Sequence, residues 1–326
     1  MRIGVVGAGA IGCAVAARLS HAGHDVSLVV RSEARRALLA ERGLTCIEEA
    51  ETLVSHPNAV AVLGETPLDI LFLAVKAADL PAAVAAVPAA ATAGDTLVVP
   101  LVNGIPWWLH QRSADQAAMV RAVDPEGALL SRFPASALAG SVVYTTAMLE
   151  DPATVRVMRS QVLVLGSIAG DDDGRIERAA TMLREANIAA QVSTSIRDDV
   201  WTKVALNLAT NPLSVVTQAA LGTLCSDDAL LPLVEAVLDE TWQVAGRYDA
   251  RPVLSRSQML ARGRAAGAFR TSMLEDYANG RPLELAAIAD AVFELAGAVG
   301  IDMPVARAVV ELARFRASQR PKENVL

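Results

Sequence analysis

Arginine carries almost all the positive charge of this chain: of 29 basic residues only three are lysines, Lys76, Lys203 and Lys322. A guanidinium keeps its proton near neutral pH, whereas a lysine partly removed from water can release one. Lys322 sits in a polar tail and needs no special reason. Lys76 follows an apolar run and Lys203 lies early in an apolar helical stretch. Both are candidates for an ammonium used in proton transfer; the plain alternative is two surface lysines whose stems lie along apolar neighbours. From Trp201 to Pro212 the spacing puts Lys203, Asn207 and Asn211 at i, i+4 and i+8, on one helical stripe. Asparagine is a mediocre helix former, so two of them below a lysine ask for a function, and a polar stripe lining a substrate cleft supplies one.

A second cluster suits phosphate. Gly7-Ala8-Gly9-Ala10-Ile11-Gly12 lies between an apolar run, Arg2–Val6, and a helical stretch with apolar positions at Val15, Leu19 and Ala22. Gly23-His24 ends that stretch, and 25–30 reads as a second strand. Strand, glycine turn, helix and strand within about thirty residues is the βαβ unit of a dinucleotide fold. Gly7 permits the tight turn, Gly9 lets backbone approach a pyrophosphate, and Gly12 lets helix and strand sit close. The helix start at Ala10 and Ile11 then offers free N–H groups and a partial positive charge. An NAD site usually carries an acidic residue at the end of the second strand, but here that place holds Arg31, with Arg35 and Arg36 one turn later. A guanidinium suits a 2′-phosphate and Ser32 can add a hydrogen bond, so NADPH is favoured over NADH. The alternative leaves Arg31 in solvent and gives the ribose to Glu33.

The elements that must hold these residues follow from hydrophobic patterning. The runs 69–75 and 96–101 read as buried parallel strands, with an Ala-rich helix at 80–91 between them. Lys76 and Asn103 follow those strands, at the sheet edge where open α/β folds bind ligands. Later strands at 140–148 and 161–165 are expected to close the sheet. The acidic segment 170–174 reads as a surface turn before a helix ending at Asn187. From Ser195 onward only helical periodicities remain, at about 195–211, 227–246, 253–268, 284–299 and 304–318. Ser226 with Asp227 is a plausible N-cap, and Pro304 suits a first helical turn. The expected fold is therefore α/β, with a Rossmann-type doubly wound sheet domain over 1–194 and an all-helical domain over 195–326.

Composition limits the function classes. Of the 326 residues 53% are hydrophobic and 4% aromatic, which argues for a large core of Ala-rich helices on a sheet. A net charge of −7 argues against nucleic acid as a partner. No apolar run reaches the roughly 18 residues of a membrane span. The chain starts directly with a strand, leaving no room for a signal peptide, and a cytoplasmic enzyme is expected. Cys13, Cys46 and Cys225 form no disulfide framework or zinc spacing, and the four histidines show no metal-ligand spacing. The apolar helices at 227–246 and 284–299 serve either as a homodimer face or as domain core.

The chain resembles the ketopantoate reductases (2-dehydropantoate 2-reductases) nearly end to end. The likeness rests on the glycine turn with Arg31, on Ala74-Val75-Lys76-Ala77, on Asn103-Gly104, on the segment from Trp201 to Leu213, and on Ser272-Met273-Leu274-Glu275-Asp276 with Gly280-Arg281 and Glu284. The resemblance implies NADPH-dependent reduction of ketopantoate to pantoate, the precursor of pantothenate and coenzyme A. It implies Lys203 as general acid with Glu284 as its partner, and Asn207, Asn211 and Ser272 as substrate contacts. Lys76 and Asn103 would position cofactor and substrate. The chemistry agrees, because a hydride added to a 2-oxo carbon leaves an alkoxide that an ammonium can stabilise and protonate. The chain departs from the family pattern at Ile105-Pro106-Trp107-Trp108 and at Leu283, Leu285 and Ala286. These departures widen the substrate class to other branched 2-oxo acids. The other readings are a β-hydroxyacid dehydrogenase and an NADP-sensing protein without turnover.

Overall fold

A computed structural model describes residues 1–49, 51–111, 118–159, 161–170 and 174–320. Lys322 and most of the acidic turn, 171–173, lie outside them. The polypeptide divides into two compact units, Met1–Met119 with Asp124–Ile196, and Val120–Val123 with Arg197–Leu326.

Among its described residues the first unit holds twelve strands: β1 (Arg2–Val6), β2 (Asp25–Val29), β3 (Leu44–Glu48), β4 (Glu51–Ser55), β5 (Asn58–Val60), β6 (Ile70–Leu73), β7 (Leu97–Pro100), β8 (Ala139–Val143), β9 (Thr146–Asp151), β10 (Thr154–Arg159), β11 (Val162–Ser167) and β12 (Ala189–Val192). Five form a parallel sheet in the order β5-β2-β1-β6-β7. In register, Val5 lies beside Leu28 on one side and Phe72 on the other. All of β6 and β7 is buried, as the continuous apolar runs require of strands covered on both faces. The helices of this unit are α1 (Ala10–His21), α2 (Glu33–Arg42), α3 (Leu80–Ala85), α4 (Ala128–Arg132) and α5 (Arg175–Glu185).

A second sheet, β4-β3-β10-β9, packs on the other side of α1. That double cover explains the composition of α1. Ala14, Ala16 and Ala17 are fully buried, because alanine lets a helix approach sheets on both sides. The buried Arg18 of α1 is held at 2.7 Å by Glu48 of β3 and at 2.7 Å by Glu51 of β4. A buried charge needs such partners to offset lost hydration.

The structure corrects several expectations. The strands around 140–148 and 161–165 do not extend the parallel sheet. The first of them splits: β8 joins β11 and β12 in a third sheet, β12-β11-β8, bridged to β7 from Leu138 to Val98, while β9 goes to the second sheet. Leu97 donates to Asp69, just before β6, and Leu101 to Leu73 of β6, so Pro100 faces the outer edge, where it has no N–H to offer. The Ser141 hydroxyl takes the Pro100 carbonyl instead. The expected helix at 80–91 stops at Ala85, because Pro88 restricts Val87 and removes a donor; a short 3-10 turn, Ala89–Thr92, follows. The sheet β4-β3-β10-β9 was not expected at all.

The second unit is helical among its described residues: α6 (Ile196–Thr217), α7 (Leu221–Leu224), α8 (Leu231–Arg247), α9 (Arg256–Ala265), α10 (Ser272–Ala278), α11 (Ala291–Ala298) and α12 (Pro304–Ser318). Ile196, the first residue of α6, belongs to the first unit. A π-helical turn, Ala286–Asp290, leads into α11. Pro304 opens α12 as expected. The expected cap at Ser226 and Asp227 serves another turn: Asp227 accepts from Ala229 and Leu230, Ser226 donates to Gly222, and α8 begins only at Leu231. The segment Val120–Val123 belongs with this unit because the Arg121 and Ala122 N–H groups donate to the Glu294 carboxylate at 2.8 Å each. No helix of the described residues is long and apolar enough to cross a membrane.

Candidate active site

The candidate site residues fall into two sets, one in each unit. In the first, β1 is the centre of the parallel sheet and its C-terminal edge runs into the glycine turn. Gly7 has φ +111°, and a Cβ there would lie 2.5 Å from the Ala74 carbonyl oxygen. A Cβ on Gly12 would overlap the Gly7 carbonyl oxygen. Both glycines are therefore demanded by the protein itself. Gly9 differs, because a Cβ there would meet no protein atom within 4 Å. That small open cradle lies at the start of α1, where Ala10 and Ile11 open the helix with no side-chain cap. It suits a bound anion reaching backbone N–H groups.

Sheet order places the remaining residues around this turn. β2 lies on one side of β1, and Arg31 follows it, exposed. β6 and β7 lie on the other side and lead to Lys76 and to Asn103-Gly104, where Gly104 has φ +87°. The chain order reverses at β1, as at the ligand-binding crevice of doubly wound sheets. Lys76 and Asn103 are half-buried.

The expected arginine cluster is reduced to one exposed member. Arg36 donates to the Val30 and Arg31 carbonyls at 2.8 Å. Arg35 turns inward to the glycine turn, donating to the Ala8 carbonyl at 2.6 Å. The Ser32 hydroxyl caps α2 by accepting from the Arg35 N–H at 3.3 Å, which leaves its proton free to donate. Trp107 and Trp108 are core residues at 1% exposure, and the Trp108 ring covers Gly140, where a Cβ would lie 2.7 Å from it. Cys13 is buried, and that burial raises its thiol above the ordinary range.

In the second unit α6 carries Lys203, Asn207 and Asn211; the first two are half-buried and Asn211 is buried. Burial lowers the Lys203 pKa from 10.5 to about 8, while the nearby Glu284 charge pushes it upward. Burial outweighs the carboxylate, so the net shift is downward. Glu284 immediately precedes the helical turn that becomes the π segment, a local widening of the helix common near functional sites. Pro212 lies inside α6 and removes one backbone donor next to Asn211.

Two hydroxyls escaped the sequence reading. Ser214 of α6 and Thr271, the N-cap of α10, are 0% and 3% exposed and lie 2.7 Å apart. Ser214 donates to the Asn211 carbonyl at 2.6 Å and Thr271 accepts from the Leu274 N–H at 3.1 Å. With those protons assigned, Thr271 is the donor to Ser214. The pair ties the first turn of α10, with the exposed Ser272, to the part of α6 that carries Asn211. Thr271 precedes an apolar helix, the ordinary signature of a cap, but nothing local pointed to Ser214.

The chain resembles known proteins nearly end to end. The family model for ketopantoate reductase PanE/ApbA matches residues 3–170, and that for its C-terminal domain matches 195–317. A 2-dehydropantoate 2-reductase of Mesorhizobium japonicum is 32% identical over 325 residues, covering 98% of this chain and 99% of that protein. A crystal structure from Ralstonia solanacearum, ascribed to a ketopantoate reductase, superposes with a TM-score of 0.89 at 31% identity over 98% of each chain. The fold is also that of D-mandelate dehydrogenase in a ternary structure with NADH and anilino(oxo)acetate, with TM-score 0.82 and 21% identity over 98% of each chain. The chain belongs to the ketopantoate reductase family of oxidoreductases.

Proposed function

We propose that the protein reduces 2-dehydropantoate to pantoate with NADPH, and that Lys203 is the proton donor. The feature that carries this reading is the half-buried Lys203 amine, whose pKa burial lowers to about 8 against the opposing charge of Glu284. A general acid works best when its pKa lies near the operating pH, and an ordinary surface lysine at 10.5 gives up its proton too reluctantly.

A reduced nicotinamide dinucleotide, held by its pyrophosphate at the glycine turn, would supply the hydride. The chain's own residues do the rest. The start of α1 and the Gly9 cradle hold the pyrophosphate, and Arg31 with the Ser32 hydroxyl takes the 2′-phosphate. Lys76 and Asn103 position the reacting groups at the sheet edge. The Lys203 ammonium hydrogen-bonds the 2-oxo group, stabilises negative charge as it develops on that oxygen, and delivers the proton. Glu284 favours the charged form of Lys203 and accepts from a substrate hydroxyl. Asn207, Asn211 and Ser272 orient the substrate by donating to its oxygens.

The second reading keeps this chemistry and changes the acid. Leu283, Leu285 and Ala286 flank Glu284 with apolar side chains, which favours a 2-oxo acid with a bulkier apolar group. The D-mandelate dehydrogenase likeness motivates including an aryl 2-oxo acid, with NADH as the cofactor. The test is oxidation of NADPH and of NADH by the purified protein with ketopantoate, other branched 2-oxo acids and an aryl 2-oxo acid. The highest kcat/KM with NADPH and ketopantoate supports the proposal. A strong preference for another acid changes the substrate and retains the mechanism, and no turnover with any 2-oxo acid refutes it.

A further inference from the structure

The Arg35 side chain spans the glycine turn instead of extending toward solvent. Its Nη1 donates to the Ala8 carbonyl at 2.6 Å, and its Nη2 approaches the Cys13 Sγ at 3.2 Å. Residues 8 and 13 bracket the turn and the first helical residues, so one planar fork holds both ends. Its Nε donates to the Pro152 carbonyl at 2.7 Å, which fixes the guanidinium to the β9–β10 turn of the second sheet. At the other end Arg35 is anchored by the Ser32 cap of α2. Three elements therefore meet at one side chain: the turn after β1, the start of α2 and the β9–β10 hairpin.

We propose that Arg35 is a positioning residue that presets the dinucleotide-binding turn, and that it does not ligate the 2′-phosphate. The Ala8 carbonyl and the Gly9 N–H belong to one trans peptide unit, so they point in opposite directions. Holding the carbonyl on Arg35 aims the Gly9 N–H away from the guanidinium. The Cys13 thiol donates to the same Ala8 oxygen at 3.4 Å, which adds a second restraint on that peptide. Without the fork the peptide can rotate before a ligand arrives, and part of the binding free energy is then spent on ordering it. Arginine suits the task because its planar donors keep fixed mutual angles, which a lysine cannot reproduce.

This proposal rests on the dinucleotide reading above and makes a separate demand. A phosphate ligand discriminates NADPH from NADH, whereas a clamp on the turn serves the pyrophosphate common to both. The experiment measures dissociation constants of NADPH and NADH, by fluorescence titration, for the parent, Arg35→Met, Arg35→Gln and Arg31→Ala. Arg35→Met is expected to weaken both cofactors by about tenfold, with their affinity ratio unchanged within about twofold. Arg35→Gln, whose amide nitrogen takes the place of Nε at the Pro152 carbonyl and falls short of Ala8, should lose both cofactors as Arg35→Met does. Arg31→Ala should weaken NADPH alone. In turnover, KM for the cofactor should rise more in Arg35→Met than kcat falls, a split that general destabilisation does not produce. Selective loss of NADPH in Arg35→Met overturns the proposal and makes Arg35 a phosphate ligand, and unchanged affinity for both cofactors also overturns it. If the parent binds neither nucleotide, the dinucleotide reading itself has failed, and the clamp with it.

Discussion

Replacing Lys203 by methionine tests the burial of its amine without any substrate. The folded chain holds that amine at a pKa of about 8, against 10.5 when it is in water. At about 1.4 kcal/mol per pH unit, keeping Lys203 charged costs the folded state roughly 3 kcal/mol at neutral pH. Between pH 8 and 10.5 the unfolded chain binds more protons than the folded one, so stability rises with pH through that window. Methionine has a similar length and no proton to lose. Urea unfolding of parent and variant, every half unit from pH 7 to 10.5, isolates the effect, because every other titrating group cancels in the difference. The parent should gain about 3 kcal/mol on the variant over that range, most of it above pH 8. Parallel curves would refute the reasoning and return Lys203 to the ordinary lysine range.

Further outcomes follow from the same geometry. In the reductive direction kcat should fall as pH rises through about 8, and Glu284→Gln should move that limb to lower pH, because the opposing carboxylate charge is gone; a limb that stays in place would detach Glu284 from the amine. Gly9→Ala should fold with parental stability and bind cofactor poorly, whereas Gly12→Ala should lose stability, by about 2 kcal/mol or more, since its Cβ overlaps the Gly7 carbonyl oxygen. Chemical denaturation together with nucleotide titration separates the two effects. Thr271→Val should raise the substrate KM several-fold while leaving NADPH affinity unchanged, and Thr271→Ser should restore it, since the hydroxyl holds α10 to Ser214.

What the sequence revealed was mainly local. The glycine turn, β1 and α1 are legible because the tight turn, the helix start and the close helix–strand approach each demand a residue type within a few positions. The three helical residues Lys203, Asn207 and Asn211 are legible for the same reason. The pairing of Lys203 with Glu284, 81 positions away, came from the family resemblance and from no spacing rule. The sheet β4-β3-β10-β9 was hidden because its strands are short and β3 pairs with β10 more than a hundred residues later. Arg35 shows a different limit. Its position one turn after Arg31 suggests phosphate, but its direction is set by the Pro152 carbonyl, which only the folded chain brings near. Ser214 and Thr271 are equally remote, joined across 57 positions.

The proton donor is tested most directly by Lys203→Ala, assayed for cofactor binding, for turnover with ketopantoate, and for turnover again with added methylammonium. The NADPH dissociation constant should stay within about twofold of the parent, while kcat falls by roughly 10²-fold or more. Added methylammonium should restore part of the lost rate in proportion to its protonated fraction. Parental kcat in the variant, or a large loss that no amine repairs, would contradict the assignment of Lys203 as the acid.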